Sequence, residues 1–217
     1  MIAMILAAGR GERLRPHTDT VPKALIEVRG QSLLERHLQA LQGAGVATVI
    51  INLGWLGEQI AERVGSGSGY GLKVIYSPEG DNILETGGGI YRALPMLGSD
   101  PFLVVNADIY TDIPMPVADF DEHTLGKLIL VPTPAEKARG DFDLVAGRVC
   151  NANDPQLTFS GVAVYRPELF ADCSPGRFSV APMLRAAADD GKIAGDVHTG
   201  FWTDVGTVDR LEVLNRD

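Results

Sequence analysis

The chain has 217 residues, a length that fits one large domain or two small ones, and 45% of them are apolar, enough to build a core and to exclude disorder as the main state. Lys and Arg number 19 against 28 Asp and Glu, a net charge of −9, so binding to nucleic acid or an anionic membrane is disfavoured and any anionic ligand must find a local basic pocket. The longest apolar run, residues 1–8, falls far short of the roughly 20 residues of a membrane span and follows no basic segment; a soluble, cytoplasmic protein is expected.

In chain order, short β-rich runs alternate with amphipathic stretches. Residues 3–6, 48–52, 73–76, 102–105 and 127–131 read as strands. Leu33, Leu34, His37, Leu38 and Leu41 recur at helical spacing, and Gly43 and Gly45 stop that helix. Residues 56–64 form a second helix and 87–94 a third, ended by Pro95. Between the second helix and the next strand, Gly65-Ser-Gly-Ser-Gly69 reads as a flexible turn. After about residue 140 the strands shorten, at 142–145, 158–165 and 201–204, with one helix over 181–189. The expected fold is α/β: a Rossmann-like three-layer α/β/α sandwich whose mixed, mainly parallel sheet is closed by a partly antiparallel C-terminal half. All of 1–217 is expected to be one domain, its halves meeting near residue 110.

Cys150 and Cys173 are too few and too distant in sequence for a metal knuckle or disulfide framework. His17, His37, His123 and His198 show no metal spacing, His37 belongs to a packed helix face, and no histidine is assigned a catalytic part. Trp55 and Trp202 read as core anchors, with Trp202 able to border a site near Asp204.

The most informative segment runs from Leu6 to Lys23, directly after the first strand. It is long for a connection inside a compact domain, and long ordered loops are usually functional. Gly9 and Gly11 allow close backbone approach to anionic oxygens. Arg10, Arg13, Arg15 and Lys23 outnumber Glu12 and Asp19, a phosphate pocket in composition, or else a surface turn with solvated arginines. A Walker loop is excluded because Gly-Lys-Ser/Thr is absent, and the dinucleotide fingerprint because Leu14 stands where its third glycine belongs. Further on, Asp108 and Asp204 each follow a short apolar run, a ligand position in open α/β sheets. Each could hold a hard cation with substrate phosphates, or cap a turn.

Leu6-Ala-Ala-Gly-x-Gly-x-Arg13, followed by Pro22-Lys23 and Val28-x-Gly30, resembles the signature of the sugar-1-phosphate nucleotidyltransferases. Ser77-Pro78-Glu79, Leu84-Glu-Thr-Gly-Gly-Gly89, Val104-Val-Asn-Ala-Asp108, Ser160-Gly161 and Trp202-Thr-Asp-Val-Gly-Thr207 follow in the family's order, so the resemblance covers nearly the whole chain. Ser77-Pro-Glu-Gly80, Leu84 through Ile90 and Trp55-Leu-Gly-Glu58 most resemble the branch that joins UTP to N-acetylmuramic acid α-1-phosphate in cell-wall recycling. Guanylyltransferases of mannose 1-phosphate and other hexose-1-phosphate nucleotidyltransferases share much of the pattern and are the alternative. An NAD-dependent oxidoreductase fails on Leu14, and a noncatalytic nucleotide-sugar sensor is disfavoured because Arg13, Lys23, Asp108 and Asp204 are all present.

The resemblance implies a nucleotide-binding half over about 1–110 and a sugar-binding half over about 111–217. It implies Mg²⁺ held by Asp108 and Asp204. Nucleotide contacts are expected from Leu6, Ala7, Ala8, Gly9, Gly11, Arg13, Pro78, Glu79, Gly87 and Asn106, with Glu85 and the Gly87 to Gly89 run near the base. Arg13 is expected to stabilise the leaving pyrophosphate and Lys23 the attacking phosphate. Sugar-phosphate contacts are expected from Lys23, Gly140, Asp141 and Asn153. Ala107 stands where many relatives have glycine. A Glu-Lys-Pro motif that many relatives use to hold the sugar phosphate has no counterpart between Gly147 and Thr158, where Asn151, Asn153 and Asp154 occur instead. The acid of N-acetylmuramic acid needs a donor, sought in the Arg139-Gly-Asp141 turn or in residues 151–154. No acyltransferase or allosteric tail domain is expected, and the oligomeric state is left open.

Overall fold

The computed structural model describes residues 1–80 and 82–216. In chain order the elements are β1 (Ile2–Leu6), β2 (Glu27–Val28), β3 (Gln31–Ser32), α1 (Leu33–Gly43), β4 (Thr48–Leu53), α2 (Gly57–Val64), β5 (Lys73–Pro78), α3 (Glu85–Leu97), β6 (Phe102–Asn106) and β7 (Ile109–Thr111). Then come β8 (Gly126–Pro132), β9 (Asp143–Val145), β10 (Arg148–Cys150), β11 (Leu157–Tyr165), α4 (Ala181–Asp189), β12 (Ile193–Val197), β13 (Trp202–Asp204) and α5 (Val208–Arg216). Nine strands make one sheet in the order β5-β4-β1-β6-β11-β8-β12-β10-β9, and two ribbons, β13-β7 and β2-β3, stand apart from it.

The parallel core, β5-β4-β1-β6, is built from near-continuous apolar runs because both of its faces are covered. Successive side chains point to opposite faces. Ala3 and Ile5 therefore join Leu34, Leu38 and Leu41 of α1 and Ile60 and Val64 of α2, while Met4 between them joins Ile90 and Ala93 of α3 and Leu184 and Ala187 of α4. That alternation is the three-layer sandwich. β11 runs antiparallel to both β6 and β8, and β12 runs parallel to β8, so the C-terminal half closes the same sheet as expected. No helix among the described residues is long and apolar enough to cross a membrane.

A third, smaller cluster positions the functional loop. Leu14, Ile26, Val28 and Leu33 pack with Val205, Leu211 and Leu214 from the C-terminal segment. Leu14 is wholly buried, so the residue that broke the dinucleotide fingerprint is the anchor that fixes Arg13 beside it.

Three elements differ from the sequence reading. α3 begins at Glu85 and passes through Pro95 to end at Leu97: Pro95 removes one backbone donor, but Leu97 is buried in the second core, and the helix stops only at Gly98, with φ 85. The Gly65 to Gly69 segment is ordered, because the Tyr76 hydroxyl donates to the Gly65 carbonyl (2.6 Å) and a 3-10 turn follows at Ser68–Tyr70. β13 does not enter the main sheet; it pairs with β7, an element the sequence reading leaves as loop. Cys150 and Cys173 are free thiols.

Candidate active site

The carboxyl ends of β1, β4 and β6 open into a cleft of about 1100 Å³, lined along one side by Leu6, Ala7, Ala8, Gly9, Arg10, Gly11, Glu12 and Arg13. This is the position at which open α/β sheets bind ligands. The loop is braced from below. Gly11 has φ 64, and a methyl group there would lie 2.9 Å from Thr18 Cγ2, so glycine is the residue the turn admits. Thr18 Oγ1 donates to the Gly11 carbonyl (2.9 Å) and Trp55 Nε1 to the Thr18 carbonyl (2.9 Å), while Arg10 lies over the Trp55 ring at 5.0 Å.

Across the cleft, one buried chain of hydrogen bonds sets the spacing of the walls. The Ala7 N–H donates to Asn52 Oδ1 (2.7 Å), Asn52 Nδ2 donates to Glu79 Oε1 (2.7 Å), and the Leu84 N–H donates to Glu79 Oε2 (2.7 Å). Asn52 and Glu79 are both buried, and a buried polar network satisfied at each member is rigid. Glu79 thus lines the cleft as a positioning residue, holding the Leu84 backbone. Arg177, paired to Glu85 at 2.8 Å, adds a cation to the rim that sequence spacing does not flag.

A second cleft, about 420 Å³, adjoins the first. Both are bordered by Arg13, Asn106 and Asp108. Asp108 follows β6, and Lys23 Nζ lies 2.5 Å from its Oδ2. Asp204, on β13, stands opposite Ile109 in the ribbon, and the Val205 N–H donates to the Asp108 carbonyl (2.7 Å). The two expected metal carboxylates are thereby brought to neighbouring rungs of one ladder. Asp204 is ion-paired with Arg210 of α5, whose other terminal nitrogen reaches Glu136 at 3.1 Å. Arg13 and Asp204 converge on Gly206, where a methyl group would lie 3.2 Å from Arg13 Nη2 and 2.7 Å from Asp204 Oδ2.

These residues fit Mg²⁺ as a partial shell. Two hard carboxylate donors, each already facing a cation, need only substrate phosphates and water to complete the octahedron that this ion prefers. Among the described residues no group of three or more His, Cys, Asp or Glu could hold a metal without such help. His37 is buried on α1, and burial pushes its imidazole down to about 4 although the Asp108 charge pulls the other way. It is therefore neutral and packs, as its place on the helix face predicts.

Several expected contacts fall elsewhere. Pro78 and Gly87 do not line the first cleft. Pro78 is the exposed end of β5, and Gly87 is covered by Phe178, whose ring a methyl group would meet at 2.4 Å; Gly87 and Gly88 pack α3 against the 176–178 segment, while Gly89 backs onto Glu79 and Asn52. Lys23 borders the first cleft but not the second, and its ammonium meets Asp108. Of the residues expected at the sugar phosphate, only Asp141 lines the second cleft. Gly140 is wedged where a methyl group would sit 2.5 Å from the Pro155 carbonyl oxygen, and Asn153 is exposed on its loop. Asn151 is spent on the Arg185 carbonyl (2.9 Å) and Asp189 (2.8 Å), and Arg139 on the Ala152 carbonyl (3.0 Å). In their place stand Glu136, Lys137, Thr158 and Arg210, which belong to no spacing motif and meet only through the fold.

The profile described as MobA-like NTP transferase domain matches residues 3–136. The chain is 48% identical over 223 residues to N-acetylmuramate alpha-1-phosphate uridylyltransferase of Neisseria meningitidis, covering 98% of this chain and 96% of that protein. It is 33% identical to the protein of the same name from Caulobacter vibrioides, covering 94% and 91%. A crystal structure of a putative glucose-1-phosphate thymidylyltransferase from Bacillus anthracis superposes with a TM-score of 0.87 over all of this chain and 94% of that one, at 20% identity; that likeness is one of fold.

Proposed function

This chain belongs to the MobA-like NTP transferase family and, within it, to the sugar-1-phosphate nucleotidyltransferases, and on that premise we propose that it condenses UTP with N-acetylmuramic acid α-1-phosphate to give the UDP-sugar and pyrophosphate. The observation that carries the reading is the end-to-end identity with the Neisseria uridylyltransferase. The paired clefts support it, since a two-substrate transfer needs two adjoining sites with a shared wall.

An oxygen of the sugar phosphate attacks the α-phosphorus of UTP in line. The bond from that phosphorus to the bridging oxygen breaks, and pyrophosphate leaves with the electron pair. The attacking phosphate is already ionised, so no general base is needed. Catalysis is then positioning and charge neutralisation. The glycine loop offers backbone N–H groups to the triphosphate, and Lys23 adds a cation on the nucleotide side. Arg13, bordering both clefts, faces charge from each substrate. Asp108 and Asp204 would hold Mg²⁺, which supplies Lewis-acid neutralisation of the α-phosphoryl group when bound.

The test is pyrophosphate release measured for the four nucleoside triphosphates crossed with a panel of sugar 1-phosphates. UTP with N-acetylmuramic acid α-1-phosphate is expected to give the highest kcat/KM. A higher value for GTP with mannose 1-phosphate would replace this reading with a guanylyltransferase.

A further inference from the structure

N-acetylmuramic acid α-1-phosphate carries two anions, the phosphate on C1 and the carboxylate of the lactyl ether on C3. The lining of the second cleft divides in two. Arg13, Asn106 and Asp108 are shared with the first cleft, and the phosphate must lie near them if its oxygen is to reach the nucleotide's α-phosphorus. The remaining lining residues border the second cleft alone, and Lys137 is among them.

Lys137 Nζ donates to Asp141 Oδ2 at 2.7 Å and to Thr158 Oγ1 at 3.2 Å. Asp141 Oδ2 is itself fixed by the Phe159 N–H at 3.0 Å, so the ammonium is held against β11 and does not sweep through solvent. An ammonium has three protons, and these two acceptors leave one. The other cation on the second cleft's own wall, Arg210, has its terminal nitrogens on Asp204 and Glu136.

We infer that Lys137 is a specificity-determining residue, its remaining proton taking the substrate's lactyl carboxylate while Asp141 and Thr158 position it. This rests on the uridylyltransferase reading above. It places the donor for the acid at Lys137 in the connection after β8, not in the Arg139-Gly-Asp141 turn or in residues 151–154. Selectivity of this kind comes from gain. A sugar phosphate without the acid leaves the Lys137–Asp141 pair as it stands, whereas the acid adds a charge-assisted hydrogen bond.

The experiment compares kcat/KM, with Mg²⁺ and UTP, for N-acetylmuramic acid α-1-phosphate and for N-acetylglucosamine α-1-phosphate, which lacks only the lactyl ether. Where the latter turns over too slowly, its Ki as a competitive inhibitor serves. K137M is expected to lower the ratio between the two by about 10- to 100-fold, the usual worth of one charge-assisted hydrogen bond, and K137R to restore part of it. Calorimetric UTP affinity within about twofold of the parent shows that K137M is folded, since Lys137 is outside the first cleft. Equal losses for both sugars would assign Lys137 to the phosphate they share, and no loss for either would leave it a structural ion pair; each overturns the inference. A wild-type protein that prefers the sugar without the acid overturns the substrate reading instead, and does so before any variant is made.

Discussion

The two clefts are built by opposite means. The first cleft, to which we assign the nucleotide, is a backbone site. A contiguous loop supplies its wall, and its width is set by the buried Ala7–Asn52–Glu79–Leu84 chain of hydrogen bonds. The second cleft, to which we assign the sugar, is a side-chain site, assembled from the segment after β8, from β11, from β13 and from α5, and held by partly exposed ion pairs such as Lys137–Asp141 and Arg210–Glu136. Recognition of a triphosphate common to many enzymes can be fixed in the main chain. Recognition of one sugar rests on side chains that change without disturbing the fold.

Variants at the seam should damage both sides at once. Asp108→Asn or Asp204→Asn is expected to lower kcat by about 100- to 1000-fold, the cost of one preorganised electrostatic group, with little change in Tm. Near-normal steady-state turnover in both at saturating Mg²⁺ would remove the metal assignment.

On the nucleotide side, the buried His37 ties stability to pH. Its folded value near 4 lies below the ordinary 6.5, so below pH 6.5 the unfolded chain binds a proton that the native state does not. The contribution is complete above pH 6.5 and is lost as pH falls toward 4, in all roughly 3 kcal/mol. Chemical denaturation at pH 4.5 and 7.5 should show most of that difference in the parent and a flatter profile in His37→Gln.

Arg13 and Lys23 sharpen the comparison kinetically. Lys23→Ala is expected to raise KM for UTP by about 10- to 100-fold, and Arg13→Ala to raise KM for both substrates, on the scale of a lost charged hydrogen bond. A Lys23→Ala effect confined to the sugar phosphate would restore the division of labour expected from sequence. Asn52→Ala, which leaves Glu79 without its buried donor, should raise KM for UTP by about tenfold and leave KM for the sugar within about twofold. Glu136→Gln should do least. Its pair with Arg210 is partly exposed, and such pairs are worth at most about 1 kcal/mol, so about a twofold change in KM for the sugar phosphate, and none for UTP, is expected.

The same contrast explains what could be read without coordinates. The first cleft is legible in the sequence because its wall is contiguous: the glycines, Arg13 and Lys23 lie within one loop, and the parallel strands behind it announce themselves as apolar runs. Leu14 could be seen to break a fingerprint but not to anchor a satellite core with Leu211 and Leu214, since that partnership spans nearly the whole chain. Pro95 reads as a stop in the sequence because the burial of Leu97 just beyond it is a tertiary fact. Residues 151–154 do not line the second cleft, and which residues do is likewise a tertiary fact. Lys137 and Arg210 are ordinary surface cations by spacing, and only the ribbon and the packing of α5 turn them into one wall.

The β7–β13 ribbon sets the order in which this enzyme can become competent. It joins Ile109 to Asp204, so the carboxylate pair is a contact of high sequence separation, and such contacts close late because a long loop must be immobilised first. A nascent chain that has folded its first two hundred residues would hold the strand ends that floor the first cleft and still be silent, with Asp204, Gly206 and the α5 anchor of Leu14 yet to dock. The two tryptophans report the two stages separately, Trp55 under the glycine loop and Trp202 in the ribbon. In refolding, recovery of activity should follow the fluorescence of Trp202, measured in Trp55→Phe, and trail that of Trp55, measured in Trp202→Phe.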